Sequence, residues 1–364
     1  MLWLSCRSII REVMDNNTQQ AFFALLRAGL WEKEVRLLPY GEVNYAEVMR
    51  LAQEQAVVGL IAAGLEHVVD VKIPQVWALQ FAGQFIQMEQ RNKTMNTFIA
   101  ETVDGMRNVG IYTVLVKGQG IAQCYEKPLG RASGDVDFFM SEDNYQKAKA
   151  YLNPFASKGK QERQYSKEIG FYVNQWLIEL HGTLHTGLSS RVDREIDAVQ
   201  RDVFYGGKVR SWMNGHTQVF LPGADEDVFF VFTHFLKHFY KEGGVTIRQM
   251  CDWCRLLYTF SDSMDSRLLE QRIKRAGLFS EWKAFASVAV DYLEMPVEAM
   301  PFYTKDKKWN RKAEKIVAFI LKDVEWHKFK DTYRVGSIFP MSTLSFLPGI
   351  IFNVNFLKIK ERLF

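Results

Sequence analysis

The spacing of apolar positions changes along the chain, and the change falls near residue 110. Before it, apolar side chains recur at helical spacing, as in residues 20–31. Asn44 followed by Glu47 predicts a capped helix start, and the pattern predicts a helix that continues to Ile61. Residues 74–108 predict one long helix or two. The first part of the chain is therefore expected to be helical.

From Ile111 onward, short apolar and β-branched runs replace the helical spacing, which predicts strands. We expect these strands at residues 112–116, 136–140, 170–173 and 175–181. Alternation across residues 202–221 predicts a hairpin that turns at Gly206 and Gly207. The polar segment 157–167 is expected to be a solvated loop or a frayed edge.

Pro222 and Gly223 mark a second boundary, beyond which the pattern is again mostly helical. We therefore predict an α+β protein in three parts. These are a helical N-terminal region (residues 1–109), a mixed-sheet core (110–222) and a helical C-terminal region (223–364).

Composition indicates a folded chain and gives little support to nucleic acid as a partner. The 364 residues are 48% hydrophobic and 14% aromatic, which is enough for a large core and excludes a disordered protein. A formal net charge of +4 is too small to favour general nucleic-acid binding.

The four cysteines, Cys6, Cys124, Cys251 and Cys254, do not form a disulfide-rich pattern in a chain of this length. Residues 1–7 lack a basic region before their apolar run, so they do not predict a secretory signal. The most apolar window, residues 338–357, is interrupted by prolines and asparagines, so we expect no membrane span. These features predict a cytoplasmic protein with reduced thiols.

The candidate chemistry centres on Asp135 and Asp137 in the strand Asp-Val-Asp-Phe-Phe. Residues two apart in a strand point to the same side, so the two carboxylates should lie side by side while Val136 and Phe138 face the core. Neighbouring carboxylates repel each other unless a cation or a proton lies between them. A hard cation such as Mg²⁺ binds one or two carboxylates together with substrate phosphates.

Three neighbouring features strengthen this prediction. A strand ends in Lys117 and Gly118, and the following Gln119 and Gly120 open a short helix whose N–H groups favour an anion. Arg131 precedes the acidic pair and can bind phosphate oxygens through its forked guanidinium. Glu179 interrupts a later apolar strand, where a carboxylate needs a partner such as a shared metal ion.

These segments resemble a known family. Leu-Val-Lys-Gly (115–118), Arg-x-x-Gly-Asp-Val-Asp (131–137) and Glu-Leu-His (179–181) are similar to motifs of the nucleotidyltransferase superfamily related to DNA polymerase β. Within that superfamily, the chain most resembles a bacterial group of uncharacterised nucleotidyltransferases. The N-terminal segment 23–31 and the later helix with His234 and His238 also fit that group.

The resemblance implies a mixed-sheet catalytic core and a role for each matching residue. Asp135 and Asp137 would bind two metal ions, and Glu179 would bind the catalytic ion and help to deprotonate the acceptor. Gly118 and its neighbours would hold the triphosphate. The implied reaction moves a nucleotide from a nucleoside triphosphate to a hydroxyl of a small molecule or protein, with Mg²⁺ or Mn²⁺ ions about 3.5–4 Å apart. Pyrophosphate would leave, and Lys117 or Arg131 would offset its charge.

Two other functions remain open at this point. The chain could be an inactive nucleotide-binding regulator, for example one partner of a toxin–antitoxin pair, because a fold does not fix an activity. Nucleic-acid processing is the other, although no basic helix supports it.

Several further residues have both a functional and a structural interpretation. His234 and His238 have metal-compatible helical spacing, but helix packing or contact with substrate phosphate explains them as well. Arg248 could reach a substrate cleft or pair with Asp252 along a helix. His181 could orient Glu179 or contact a phosphate. The Cys251-x-x-Cys254 pair lies in a helical pattern without a second pair, so we interpret it as buried thiols rather than a zinc site.

Overall fold

The computed structural model describes residues 2–159, 161–163, 165–241, 244–321 and 335–346, without the side chains of residues 2–16 and of Lys158. The part of the predicted segment 338–357 beyond Phe346 lies outside the described residues. The chain forms helices on both sides of a single mixed sheet, which confirms the predicted α+β class.

The N-terminal helices, as the structure has them, are α1 (Leu2–Trp31), α2 (Tyr45–Glu54), α3 (Val58–Glu66) and α4 (Gln75–Asn108). Asn44 caps α2 as predicted, because its side chain accepts a hydrogen bond from the Glu47 N–H at 3.2 Å. The prediction of one helix through Ile61 was wrong. Ala56, with φ +54°, breaks it into α2 and α3. Residues 75–108 form one helix rather than two.

The sheet has seven strands, and helices lie between some of them along the chain. The strands are β1 (Val114–Val116), β2 (Asp135–Phe139), β3 (Ala156–Gly159), β4 (Glu168–Val173), β5 (Trp176–His181), β6 (Val209–Asn214) and β7 (Thr217–Pro222). Helices α5 (Gly118–Ala122), α6 (Glu142–Leu152) and α7 (Ser190–Phe204) lie between them. Their spatial order is β3-β4-β5-β2-β1-β7-β6, and β2 pairs with β5 in parallel.

One prediction within the sheet region was wrong. The hairpin turn lies at Gly215 and His216, between β6 and β7, not at Gly206 and Gly207. Asn214-Gly215 is a strong hairpin signal, whereas the earlier glycines follow the end of α7. The segment 157–167 was predicted to be a solvated loop or a frayed edge, and its first residues belong to the edge strand β3.

The C-terminal helices are α8 (Ala224–Lys241), α9 (Ile247–Thr259), α10 (Ser266–Ala276), α11 (Phe279–Asp291) and α12 (Lys307–Ile320), and residues 335–338 and 340–346 are also helical. No helix among the described residues has the length and apolar character needed to cross a membrane.

The two faces of the sheet contribute to different hydrophobic clusters. Val136, Phe138 and Met140 belong to a cluster that also contains buried residues of α4 and α6. Phe139, on the opposite face, belongs to a larger cluster with residues of α1, α3, α8 and α9. The alternation predicted for β2 is therefore confirmed, and Asp135 and Asp137 share the face of Phe139.

A close backbone contact joins the N-terminal helices to the turn that precedes Arg131. A Cβ added to Gly59 would lie 1.9 Å from the Gly130 carbonyl oxygen, so this part of α3 has no room for a side chain. Gly83 in α4 has no neighbour within 4 Å of the same position.

We expect Gly59→Ala to lower the free energy of unfolding by about 1–3 kcal/mol, because overpacking forces backbone to move. The matched variant Gly83→Ala should raise it by about 0.5–1 kcal/mol, since alanine is the better helix former. Urea unfolding measures both. Equal stability of the two variants would contradict the close contact.

Candidate functional site

Strand pairing brings the predicted acidic residues together. Asp137 on β2 lies opposite Glu179 on β5, and Phe139 lies opposite His181. Residues opposite each other in paired strands share a face, so Asp137, Glu179 and His181 line the same side of the sheet. Asp135 lies two residues earlier on that side. The sheet therefore places all three predicted carboxylates around one position.

The carboxylate of Asp137 is buried and binds two nitrogen donors. Its Oδ1 atom lies 2.7 Å from Lys117 Nζ and 2.8 Å from His181 Nε2. Burial raises the pKa of Asp137, but Lys117 and His181 outweigh it and hold this pKa below its usual value. An ionised Asp137 requires that His181 donates this hydrogen bond. Sequence reasoning had instead placed His181 against Glu179 or a phosphate.

Ligand atoms from Asp137, Glu179 and His181 all lie within 4.8 Å of one another, a spacing compatible with a metal ion. Asp135 is not in this three-residue group, but it is close enough for electrostatic coupling. The charge of Asp137, followed by burial, raises the pKa of Asp135. A metal ion bound at this position would therefore be surrounded mainly by carboxylates.

The acidic cluster opens into a cavity of about 330 Å³ between the sheet and helices α8 and α9. Small-molecule sites commonly start at about this volume. The wall from the sheet side includes Lys117, Gly118, Asp135, Asp137, Glu179 and His181; the helical wall includes His234, His238 and Arg248. These are nine of the residues that the sequence singled out.

Arg131 also borders the cavity, but its guanidinium binds another residue of the chain. Nε and Nη2 donate to the two oxygens of Asp252 at 2.8 and 2.7 Å, and Nη1 donates to Ser133 Oγ at 2.7 Å. Both side chains of the Arg131–Asp252 pair are about 95% buried or more. The direct phosphate contact predicted for Arg131 stays a prediction. In the structure, its ion pair with Asp252 links the turn before β2 to helix α9.

Arg248 lies beside this pair, and its guanidinium makes fewer hydrogen bonds to the protein than that of Arg131. Its Nη1 atom is 3.3 Å from the Ala132 carbonyl oxygen and 3.8 Å from Asp252 Oδ2. Its buried Nε has no hydrogen-bond partner among the described residues. Burial and the charge of Arg131 lower the pKa of Arg248. A cationic donor with unused N–H capacity at a cavity wall suits an anionic ligand.

His234 and His238 contact each other, with their Nε2 atoms 3.0 Å apart. Burial and then the nearby Lys117 lower the pKa of His234 well below its usual value, so this ring is neutral at pH 7. His234 therefore offers a neutral ring to the cavity, next to the acidic cluster.

Gln119 and Gly120 do not line the cavity, and the prediction that they bind phosphate stays a prediction. The buried Gln119 side chain donates to Asn92 Oδ1 on α4 at 2.9 Å. Gly120 packs so closely on Leu221 that an added Cβ would lie 2.8 Å from it. Both residues belong to the packing between α5, α4 and the sheet.

Sequence reasoning missed several residues that line the cavity. Thr183, His185 and Arg163 border it from the loops next to β4 and β5. His185 Nε2 lies 2.7 Å from Asp197 on α7. A polar run directly after a strand end was the available signal, but it is common in loops of every function.

Cys251 and Cys254 are buried in α9 with free thiols, and burial raises the pKa of each.

The fold and the cavity together define an α+β protein with an acidic cluster on a mixed sheet, enclosed by helices that carry cationic and neutral nitrogen donors. Residues 41–294 match the sequence model of a family described as "Uncharacterised nucleotidyltransferase". This match covers more than half of the chain and includes the whole acidic cluster. The chain belongs to that family of nucleotidyltransferases.

A comparison with solved structures finds an antigenic nucleotidyltransferase-like protein from Paracoccidioides brasiliensis. It is 13% identical, and the match covers 56% of this chain and 93% of that chain with a TM-score of 0.33. No curated protein matches the sequence.

Proposed function

We propose that this protein is a metal-dependent nucleotidyltransferase of the polymerase-β-like superfamily. It would transfer a nucleoside monophosphate from a nucleoside triphosphate to a hydroxyl of a small molecule or protein and release pyrophosphate. The observation that carries the proposal is the parallel register of β2 and β5, which sets Glu179 beside Asp137 at the cavity wall. Family membership supports the reaction class.

The residues present fit a hard divalent cation. Asp135, Asp137 and Glu179 supply carboxylate oxygens, which Mg²⁺ and Mn²⁺ prefer. His181 is hydrogen-bonded to Asp137, an arrangement that fixes the orientation of a ligating carboxylate. When bound, the cation would stabilise negative charge on the phosphates and on the attacking oxygen.

The protein's own residues would bind the nucleotide and move one proton. Arg248 would bind phosphate oxygens, and Gly118 would leave room for them at the start of α5. The acceptor oxygen would form a bond to the α-phosphorus while the bond from that phosphorus to the bridging oxygen breaks. Glu179 would accept the hydroxyl proton, and pyrophosphate would leave with the electron pair of the broken bond.

Assay of each of the four ribonucleoside triphosphates with Mg²⁺ or Mn²⁺ and cell extract tests this proposal. Label from the α-phosphate should appear on an acceptor, with an equal amount of pyrophosphate released. Tight nucleotide binding without either product would instead support a regulatory nucleotide-binding protein. Binding to RNA that weakens steeply with salt would support nucleic-acid processing.

Arg248→Met is expected to weaken nucleoside triphosphate binding by about 10- to 100-fold. A hydrogen bond to a charged group contributes about 1.5–3 kcal/mol, which corresponds to that factor. Calorimetry with a non-hydrolysable triphosphate analogue measures it. Arg311→Met removes an exposed arginine that does not line the cavity and should leave the affinity unchanged. Equal affinity of both variants would remove Arg248 from the binding site.

A further inference from the structure

Lys117 has a backbone conformation that side chains rarely adopt. Its φ is +58° and its ψ is −150°, and Gly118 after it has φ +45°. This region of φ and ψ is almost reserved for glycine because a Cβ atom clashes with the neighbouring backbone. A lysine persists here only because surrounding structure holds it. Strain of this kind concentrates at functional sites, so the side chain at this position needs an explanation.

The ammonium group of this residue lies in the acidic cluster. Lys117 Nζ lies 2.7 Å from Asp137 Oδ1, and the side chain is 18% exposed. The Lys117 charge also interacts with Asp135 and Glu179. One positive charge therefore already stands among the three carboxylates. This charge reduces the repulsion between the carboxylates, as one of the two positive charges of a divalent cation would.

The Asp137 carboxylate has limited capacity for further ligands. Each carboxylate oxygen offers about two acceptor positions. Lys117 Nζ and His181 Nε2 both bind the same oxygen, Oδ1. A carboxylate shared by two metal ions about 3.5–4 Å apart would need acceptor capacity for both. With both acceptor positions of Oδ1 taken by nitrogen donors, Asp137 would offer Oδ2 to a cation.

We propose that the Lys117 ammonium replaces one of the two metal ions, so that the chain binds one divalent cation. Asp135, Glu179 and Oδ2 of Asp137 would hold that cation, and Lys117 would supply the second positive charge at Asp137. This inference rests on the proposed metal-dependent function. It changes the expected number of ions and gives the strained lysine a role in the site.

Counting bound Mn²⁺ ions per chain tests the inference without an activity assay. Equilibrium dialysis gives the number of ions, and electron paramagnetic resonance distinguishes a single Mn²⁺ from an exchange-coupled pair. We expect the unmodified chain and Lys117→Arg to bind one ion. Lys117→Gly, which also relieves the backbone strain, and Lys117→Gln, which keeps most of the side chain, should each bind a coupled pair. Circular dichroism checks that each variant folds.

The outcomes separate this inference from the proposed function. Two ions in the unmodified chain would overturn the role of Lys117 and leave a metal-dependent enzyme. One ion in both Lys117→Gly and Lys117→Gln would also overturn it. No Mn²⁺ binding by any of these proteins would overturn the metal-dependent function itself, and with it the inference. Loss of the ion in Asp137→Asn, together with the expected change from one ion to two, would support both.

Discussion

Asp137→Asn is expected to reduce nucleotidyl transfer by at least about 100-fold while the protein stays folded. The amide has the shape of the carboxylate and keeps an oxygen that can accept a hydrogen bond from Lys117 or His181. It removes the negative charge that a cation would bind. Losing one group that stabilises charge at a reacting centre commonly costs about 100- to 1,000-fold in rate. Release of pyrophosphate, measured at saturating triphosphate, gives this factor.

Asp143→Asn is a matched control for this experiment. Asp143 is exposed in the first turn of α6 and does not line the cavity, so its variant should retain full activity. Both proteins should unfold cooperatively with unchanged circular dichroism. Mg²⁺-dependent turnover by Asp137→Asn at the rate of the control would reject the acidic cluster as the reaction centre.

Local sequence patterns predicted the parts of the site that depend on local geometry. The period of two in β2 placed Asp135 and Asp137 on one face, and the structure confirms that Val136 and Phe138 pack in the hydrophobic cluster on the other face. A carboxylate within an apolar strand predicted a partner for Glu179. The structure sets Glu179 opposite Asp137, and a metal ion as its partner stays a prediction.

The sequence could not show interactions between residues that are distant along the chain. The phosphate contact predicted for Arg131 stays a prediction, but nothing in the sequence indicated that its guanidinium donates to Asp252, 121 residues away. Gln119 follows a glycine in an apparent phosphate loop, yet it donates to Asn92 on α4. Both outcomes depend on which helix packs on which face of the sheet. The spacing of apolar residues along the chain does not contain that information.

The conformation of Lys117 was equally inaccessible from the sequence. A lysine before a glycine gives no signal for φ +58°, because non-glycine residues enter this region only where tertiary contacts impose it. The sequence therefore predicted a lysine near phosphate. The structure shows in addition that its ammonium group pairs with Asp137.

Asp252→Asn is expected to lower the free energy of unfolding by about 3–5 kcal/mol. Asp252 is buried and accepts hydrogen bonds from both Arg131 and Tyr125, and Arg248 lies 3.8 Å away. Burial raises the pKa of Asp252, but Arg131 outweighs burial and keeps this pKa below its usual value, so the residue is ionised at neutral pH. Breaking a buried ion pair leaves an uncompensated charge, which accounts for the size of the loss. Urea unfolding monitored by tryptophan fluorescence measures it.

The double variant Arg131→Met with Asp252→Asn separates loss of charge pairing from loss of packing. It removes the buried cation together with its partner, so it should be less destabilised than the sum of the two single variants. Asp262→Asn, at an exposed position after α9, should change stability by no more than about 0.5 kcal/mol. If the loss in free energy of unfolding of the double variant equals the sum for the two single variants, Arg131 and Asp252 do not act as a pair.

If the two residues couple as expected, nucleotide affinity should also fall in Asp252→Asn, because Arg248 and the turn before β2 both contact this ion pair.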